Sequence, residues 1–200
     1  MMTSDTYLTI AAPSEGIYTE KRSKFIAMAL PVHTVDEVKA LLDTCQKKYY
    51  DARHVCYAYM LGPERKDFRS NDNGEPSGTA GKPILGQINS HNLTDILIIV
   101  VRYFGGIKLG TSGLITAYRA AAAQAIAAAT VVEKTVDEEV TFFFEYPMMN
   151  DVMRIVKEEG PSIVSQGYDT DCSMTLRIRR SLMPRLLQHL EKVETLRISD

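Results

Sequence analysis

Six branched aliphatic residues in succession, ILIIVV at positions 96–101, constrain this 200-residue chain more than any other stretch. With no polar position among them to face water, they read as a buried central strand running over about residues 95–104. The run is far shorter than the roughly 20 apolar residues of a membrane-spanning helix. A composition of 45% hydrophobic and 24% charged residues then excludes disorder and collagen and fits a soluble globular protein. The opening residues, MMTSDTYLTIAAPSEG, lack a basic segment followed by an apolar one, so they do not read as a secretory signal, and a cytoplasmic location without membrane contact is expected. Cys45, Cys56 and Cys172 are widely spaced and form no C-x-x-C pair, which argues against a disulfide framework or a zinc site. No metal and no cofactor is expected.

Around the central strand the pattern alternates between strand and helix. Residues 7–12 and 21–32 are β-like. Thr34 and Glu37 make a capping box for a helix over 34–50, where Val35, Val38, Leu41, Leu42, Cys45 and Tyr49 recur on one face. Residues 53–61 (RHVCYAYML) form a strand, and 62–81 read as polar and irregular. Pro83 suits the first turn of a helix reaching about His91. A second helix spans about 112–129, with nine alanines among its last thirteen residues, small enough to lie close on a sheet. After a junction at 131–137 the order becomes strand, helix, strand, strand, helix, strand: a βαββαβ unit of the ferredoxin-like kind. Two domains are therefore expected, at 1–133 and 136–200. Fifteen basic against 13 acidic residues up to position 135 make the first mildly positive, while 8 against 12 make the remainder negative, for a total of −2. No polyelectrolyte excess marks the whole chain as a nucleic-acid binder.

Eight of the twelve glycines crowd between Gly74 and Gly113, seven of them in two loops that each lead into a helix. In NDNGEPSGTAGKP at 71–83, Gly74, Gly78 and Gly81 permit close backbone approach, and Asn73, Ser77, Thr79 and the loop N–H groups are candidate donors to an anion, with Lys82 beside the helix start. It is not a nucleotide P-loop, because Pro76 stands where the motif needs glycine and Pro83 where it needs the magnesium-binding hydroxyl. In VRYFGGIKLGTSG at 101–113, Gly105, Gly106 and Gly110 shape a second turn, with Arg102 and Lys108 supplying charge. The G-x-G-x-x-G dinucleotide fingerprint is absent. His54 and Cys56 share one face of a strand; Cys56 there reads as a core residue rather than a nucleophile. Asp72 and Glu75 are open to two readings, an acid/base pair or a turn-forming Asp beside a solvated Glu. In the second domain Arg177 and Arg179 face away from Leu176 and Ile178, but only Phe143 offers an aromatic on that side, too little for the stacking platform of an RNA-recognition motif.

Four strings together, RSKF at 22–25, A-x-H-x-C-Y-A-Y at 52–59, NDNGEPSGTAGKPIL and VVRYFGGIKLG, resemble the IMPACT/YigZ family, and the following βαββαβ unit resembles the small C-terminal domain of its bacterial members. The resemblance implies an α+β protein. Its first domain would be of the ribosomal-protein type seen in domain IV of elongation factor G, a four-stranded sheet with helices on one face, and its second would be ferredoxin-like. It also implies a link to translational control, with no catalytic activity established for the family. Where the family continues G-x-G-G-L-x-R-A-Y, this chain has Ser112 for a glycine and Thr116 for the arginine; Arg119 lies one turn on.

Two functions follow as expectations. The first is a non-enzymatic binding protein that meets RNA, the ribosome or a translation-associated protein through the glycine loops with Lys82, Arg102 and Lys108. The second is a small hydrolase or transferase using His54 as base with Asp72 or Glu75. The sequence leaves the oligomeric state open.

Overall fold

The computed structural model describes residues 5–168 and 171–199; the four residues that open the chain, and with them some of the segment read for a signal, lie outside that range. The protein is a mixed α/β fold with three sheets and five helices among the described residues, and it divides into two compact units, residues 7–134 and residues 135–199 together with Asp5 and Thr6.

In the first unit, strands β2 (Ser14–Glu20), β3 (Ser23–Pro31), β4 (His54–Leu61), β5 (Asp67–Asn71) and β6 (Ile96–Tyr103) form one antiparallel sheet in the order β2-β3-β6-β4-β5. The ILIIVV run is the middle strand, and every residue from Ile96 to Val101 is fully buried. Alternation explains why: Ile96, Ile98 and Val100 enter a core with α2 (Gly81–Ser90) and α3 (Gly110–Ala127), whereas Leu97, Ile99 and Val101 enter another with Val38 and Cys45 of α1 (Val35–Lys48). This corrects the expected four-stranded sheet with helices on one face. A strand apolar at every position needs cover on both sides, and α1 supplies the second layer.

Thr34 caps α1 as its sequence predicts, with Oγ1 accepting from the Glu37 N–H at 3.2 Å. The reciprocal bond differs by one residue, since Glu37 Oε2 accepts from the N–H of His33 at 2.7 Å. Three strands lie where none was expected, the first being β2, between the two opening segments read as β-like. β5 occupies a stretch read as irregular; it is a polar edge strand with no apolar alternation to announce it. β7 (Val131–Thr135) occupies the junction and pairs with β1 (Thr6–Ile10).

The alanine-rich helix lies against β2 so closely that a Cβ on Gly16 would sit 2.5 Å from the backbone nitrogen of Ala125, and Ser14 Oγ donates to the Ala125 carbonyl at 2.7 Å. Ala117, Ala121, Ala122 and Ala125 are fully buried, so small side chains here permit layer contact rather than merely favour helix.

The second unit runs β8 (Asp137–Phe144), α4 (Met149–Glu159), β9 (Ser162–Tyr168), β10 (Cys172–Arg179), α5 (Met183–Leu190) and β11 (Arg197–Ile198), with an antiparallel sheet ordered β11-β8-β10-β9. Val140, Phe142 and Phe144 meet Cys172, Met174, Leu176 and Ile178 in a core closed by Val152, Ile155, Leu186 and Leu190 of the two helices. Gly160, at φ +68°, ends α4 in the left-handed conformation. Among the described residues no helix is long and apolar enough to cross a membrane.

Replacing Gly16 by Ala forces α3 off the sheet, because the obstruction is backbone rather than a movable side chain. The expected cost is about 1–3 kcal/mol in urea unfolding.

Candidate functional site

The glycine loop at 71–83 connects edge strand β5 to α2, and its first acidic residue fixes its shape. Asp72 Oδ1 accepts from the N–H groups of Ala80 and Gly81 at 3.0 and 2.8 Å, and Oδ2 accepts from Gly78 at 2.8 Å. The chain thus brings its own carboxylate to the start of α2, a helix without a side-chain cap at Ala80. Burial pushes the Asp72 carboxyl upward, but the three N–H donors outweigh it and hold the group below the ordinary carboxylate range. The expectation that these N–H groups await an external anion is corrected here: Gly78, Ala80 and Gly81 are already satisfied. Gly81 is required sterically as well, since a Cβ would lie 2.6 Å from the nitrogen of Asn71.

Neighbouring polar groups are tied up in the same way. Asn73, at φ +37°, donates its N–H to the side-chain oxygen of Asn71 at 2.8 Å and donates from Nδ2 to the Val55 carbonyl at 3.0 Å. Thr79 is buried and donates from Oγ1 to the Pro76 carbonyl at 2.7 Å. Ser77 and Gly74 are exposed, Gly74 at φ +83° beside the His54 ring.

Glu75 is not the solvated residue of the simple turn reading; it is 9% exposed. Its Oε1 lies 2.7 Å from Arg102 Nη1 and accepts from Tyr118 Oη at 2.8 Å. Arg102, expected to supply charge to an open anion seat, is itself 7% exposed and committed to this ion pair. Its guanidinium carbon lies 5.6 Å from the ring centres of both Phe25 and Phe104, and its Nε is buried with no hydrogen-bond partner among the described residues. Cys56 Sγ lies 2.9 Å from the Asp72 carbonyl and 3.3 Å from Tyr118 Oη. Burial pushes the Cys56 thiol up to about 12, so it stays protonated and inert. Burial and then the neighbouring Cys56 and Glu75 also raise the Tyr118 phenol.

His54 meets neither acid among its hydrogen bonds. It lies half-buried with Nδ1 3.0 Å from the Asn73 carbonyl, and since a carbonyl only accepts, Nδ1 carries the proton. The arrangement of His54 as base with Asp72 or Glu75 as partner is not assembled, because one carboxylate is spent on backbone donors and the other on Arg102.

The second loop, 104–109, presents different chemistry. Gly105 touches the β2–β3 turn so tightly that a Cβ would lie 2.1 Å from the carbonyl carbon of Arg22, and its N–H donates to Ser23 Oγ at 3.2 Å. Gly106 and Gly110 have φ of +87° and +74°. Phe104, Ile107 and Lys108 are exposed, as are Lys82, Arg119 and the turn residues Lys21 and Arg22. At the start of α3 a cavity of ≈270 Å³ is lined by Tyr18, Glu20, Lys21, Leu109, Ser112, Gly113 and Thr116. Thr116, at the position where an arginine was expected, turns its hydroxyl back to the Ser112 carbonyl at 3.0 Å. No group of His, Cys, Asp and Glu among the described residues forms a metal cluster.

Sequence reasoning missed Tyr118 as the third member of the buried network, although an aromatic interrupting a run of alanines is its signal. It also missed Phe104, which its motif context conceals.

Removing the Arg102 side chain by Arg102→Ala leaves the Glu75 charge buried and unpaired, so urea unfolding is expected to show a loss of about 3–5 kcal/mol. Arg102→Met with Glu75→Leu restores most of it, because both charges leave together. Asp72 gives a pH signature of known sign. Its carboxyl is depressed in the folded state, so its contribution is complete above the unfolded value of about 3.9 and is lost as pH falls through the lower folded one. The stability gap between the wild type and Asp72→Asn, followed by urea unfolding, should be widest near neutrality and close below about pH 4.

Residues 21–126 match the model of the Impact N-terminal domain. The chain is similar to an IMPACT family member, YigZ, from Escherichia coli, at 34% identity over 82% of this chain and 81% of that protein. It is similar over a shorter span to a Dictyostelium discoideum IMPACT homolog, at 40% identity over 46% of this chain and 27% of that one. A solved structure described only as that of a hypothetical protein superposes with a TM-score of 0.77 at 30% identity, covering 98% of this chain and 97% of its own.

Proposed function

Because this chain belongs to the IMPACT family, we propose that it is a binding protein linked to translation or its regulation, which engages RNA, on the ribosome or free, through the basic rim of its first unit. One observation carries the reading. The carboxylates of the first glycine loop are engaged internally, Asp72 by three backbone donors and Glu75 by Arg102, whereas the side chains of Lys82 and Lys108 stand exposed. What the two loops offer to solvent is thus weighted toward positive charge, although the chain as a whole carries −2. Exposed Arg22 and Lys21 of the adjoining turn add to it. The same weighting suits an acidic protein surface, which nuclease treatment separates from RNA.

In this reading the family link to translational control supplies the biological setting. The second unit is read as ferredoxin-like on its sheet order β11-β8-β10-β9. The first is read as a variant of the ribosomal-protein type of elongation factor G domain IV, enlarged by an additional strand and by α1.

Binding of ribosomal RNA, transfer RNA and ribosomes across a salt series tests the proposal. Each phosphate contact removed is expected to lower the slope of log affinity against log salt by about one, so Lys82→Ala with Lys108→Ala should lower it by about two. Binding that is undetectable at low salt, or unchanged in the double variant, defeats it. Capture of partners from lysate that survives nuclease treatment transfers the surface to a protein partner.

A further inference from the structure

Phe104 is 56% exposed immediately after a strand whose residues from Ile96 to Val101 are completely buried. A single exposed aromatic is ordinary on a protein surface, but the support beneath this one is not. The Arg102 guanidinium lies 5.6 Å from the ring centre, and is itself held by Phe25 at the same distance and by the 2.7 Å ion pair to Glu75. A cation against one face of an aromatic ring draws π density toward itself and holds the ring in place. The next residue is equally constrained, because the backbone of Gly105 is wedged against that of Arg22 and Ser23 and bonded to the Ser23 hydroxyl. The ring is therefore preorganised, with ordering largely completed before anything binds.

Its setting is cationic. Arg22 and Lys21 occupy the two central positions of the β2–β3 turn in left-handed conformations, at φ of +65° and +45°, where Asn and Gly are the preferred residues. Arg22 abuts Gly105 through its backbone, and Lys108 follows on the loop, so exposed basic residues belong both to the adjoining turn and to the loop that carries the ring. A protein partner's apolar face would be matched by a contiguous apolar patch; here Phe104 and Ile107 are separated by two glycines and bordered by charge. A flat π surface joined to phosphates matches both features at once.

We infer that Phe104 is a stacking platform for an unpaired base of single-stranded RNA, with Arg22 and Lys108 taking the flanking phosphates. The inference rests on the RNA-binding reading above and narrows it to strands with exposed base faces, since duplex RNA hides them.

The test uses the full chain, a labelled 12-nucleotide single strand, and the same strand annealed to its complement. Phe104→Ala and Phe104→Leu are each expected to weaken single-strand binding about tenfold, Phe104→Tyr to bind as the wild type does, and duplex affinity to change little. The salt slope should stay the same in all three, because no charge is removed. A strand carrying 2-aminopurine should show quenching at one or two positions on binding the wild-type protein, which tests stacking without any substitution. Wild-type affinity in Phe104→Leu, or no quenching at any position, overturns the platform while leaving the broader reading intact. Failure of the wild type to bind either form of RNA at low salt overturns both.

Discussion

The buried pair of Glu75 and Arg102 joins three regions of the first unit that are distant in sequence: the glycine loop, the central strand, and, through Tyr118, the alanine-rich helix. Ionic pairs so placed seldom add net stability over apolar substitutes, because both charges lose their water. What such a pair does impose is a penalty on every arrangement in which its members separate. Glu75 reaches Arg102 only when the loop lies over β6, and Tyr118 completes the carboxylate's acceptor set only when α3 lies against the sheet. The small residues allow that close packing and the charges penalise departures from it. Gly16 and the buried alanines remove obstruction, and the ion pair selects one geometry among those they permit.

Asp72 has the corresponding role at the start of the same loop. A helix beginning in a glycine-rich loop leaves its first N–H groups without partners, and in many folds that end receives a phosphate. Here the carboxylate comes from within the chain, so the anion-binding geometry of the loop is used up in folding it. A motif of glycines, hydroxyls and a lysine before a helix consequently has two physical outcomes. The position of an acidic residue able to reach the helix start decides between them.

That distinction marks how far the sequence could be read. The two-sided burial of residues 96–101, the capping of α1 by Thr34, and the alternating strands of the second unit all follow from local pattern, and the structure contains each. β5 and β7 were hidden because DFRSN and VVEKT are largely exposed edge segments, held by ladder hydrogen bonds that leave no mark in hydrophobic periodicity. Arg102 was misread for a different reason. Loop sequences identify charged residues but not their partners, and Glu75 meets Arg102 across 27 positions. Residue type at the site was legible, while the pairing that turns a candidate ligand into a structural tie was not.

The two glycine loops, alike in composition, therefore do opposite work. The first folds inward: its carboxylates are held by donors of the chain itself, Thr79 bonds within the loop, and Gly81 is pressed against Asn71. The second folds outward: Gly105 is anchored to the β2–β3 turn, but Phe104, Ile107 and Lys108 on either side of the glycine pair face solvent. Rigidity in the second loop depends on satisfaction in the first, because Arg102, which backs Phe104, keeps its position through Glu75. Disrupting the ion pair would thus loosen the exposed ring as well as the core. Any measurement of recognition at the outer loop must separate those consequences by comparing substitutions at Phe104, which leave the pair intact, with substitutions at Arg102, which do not.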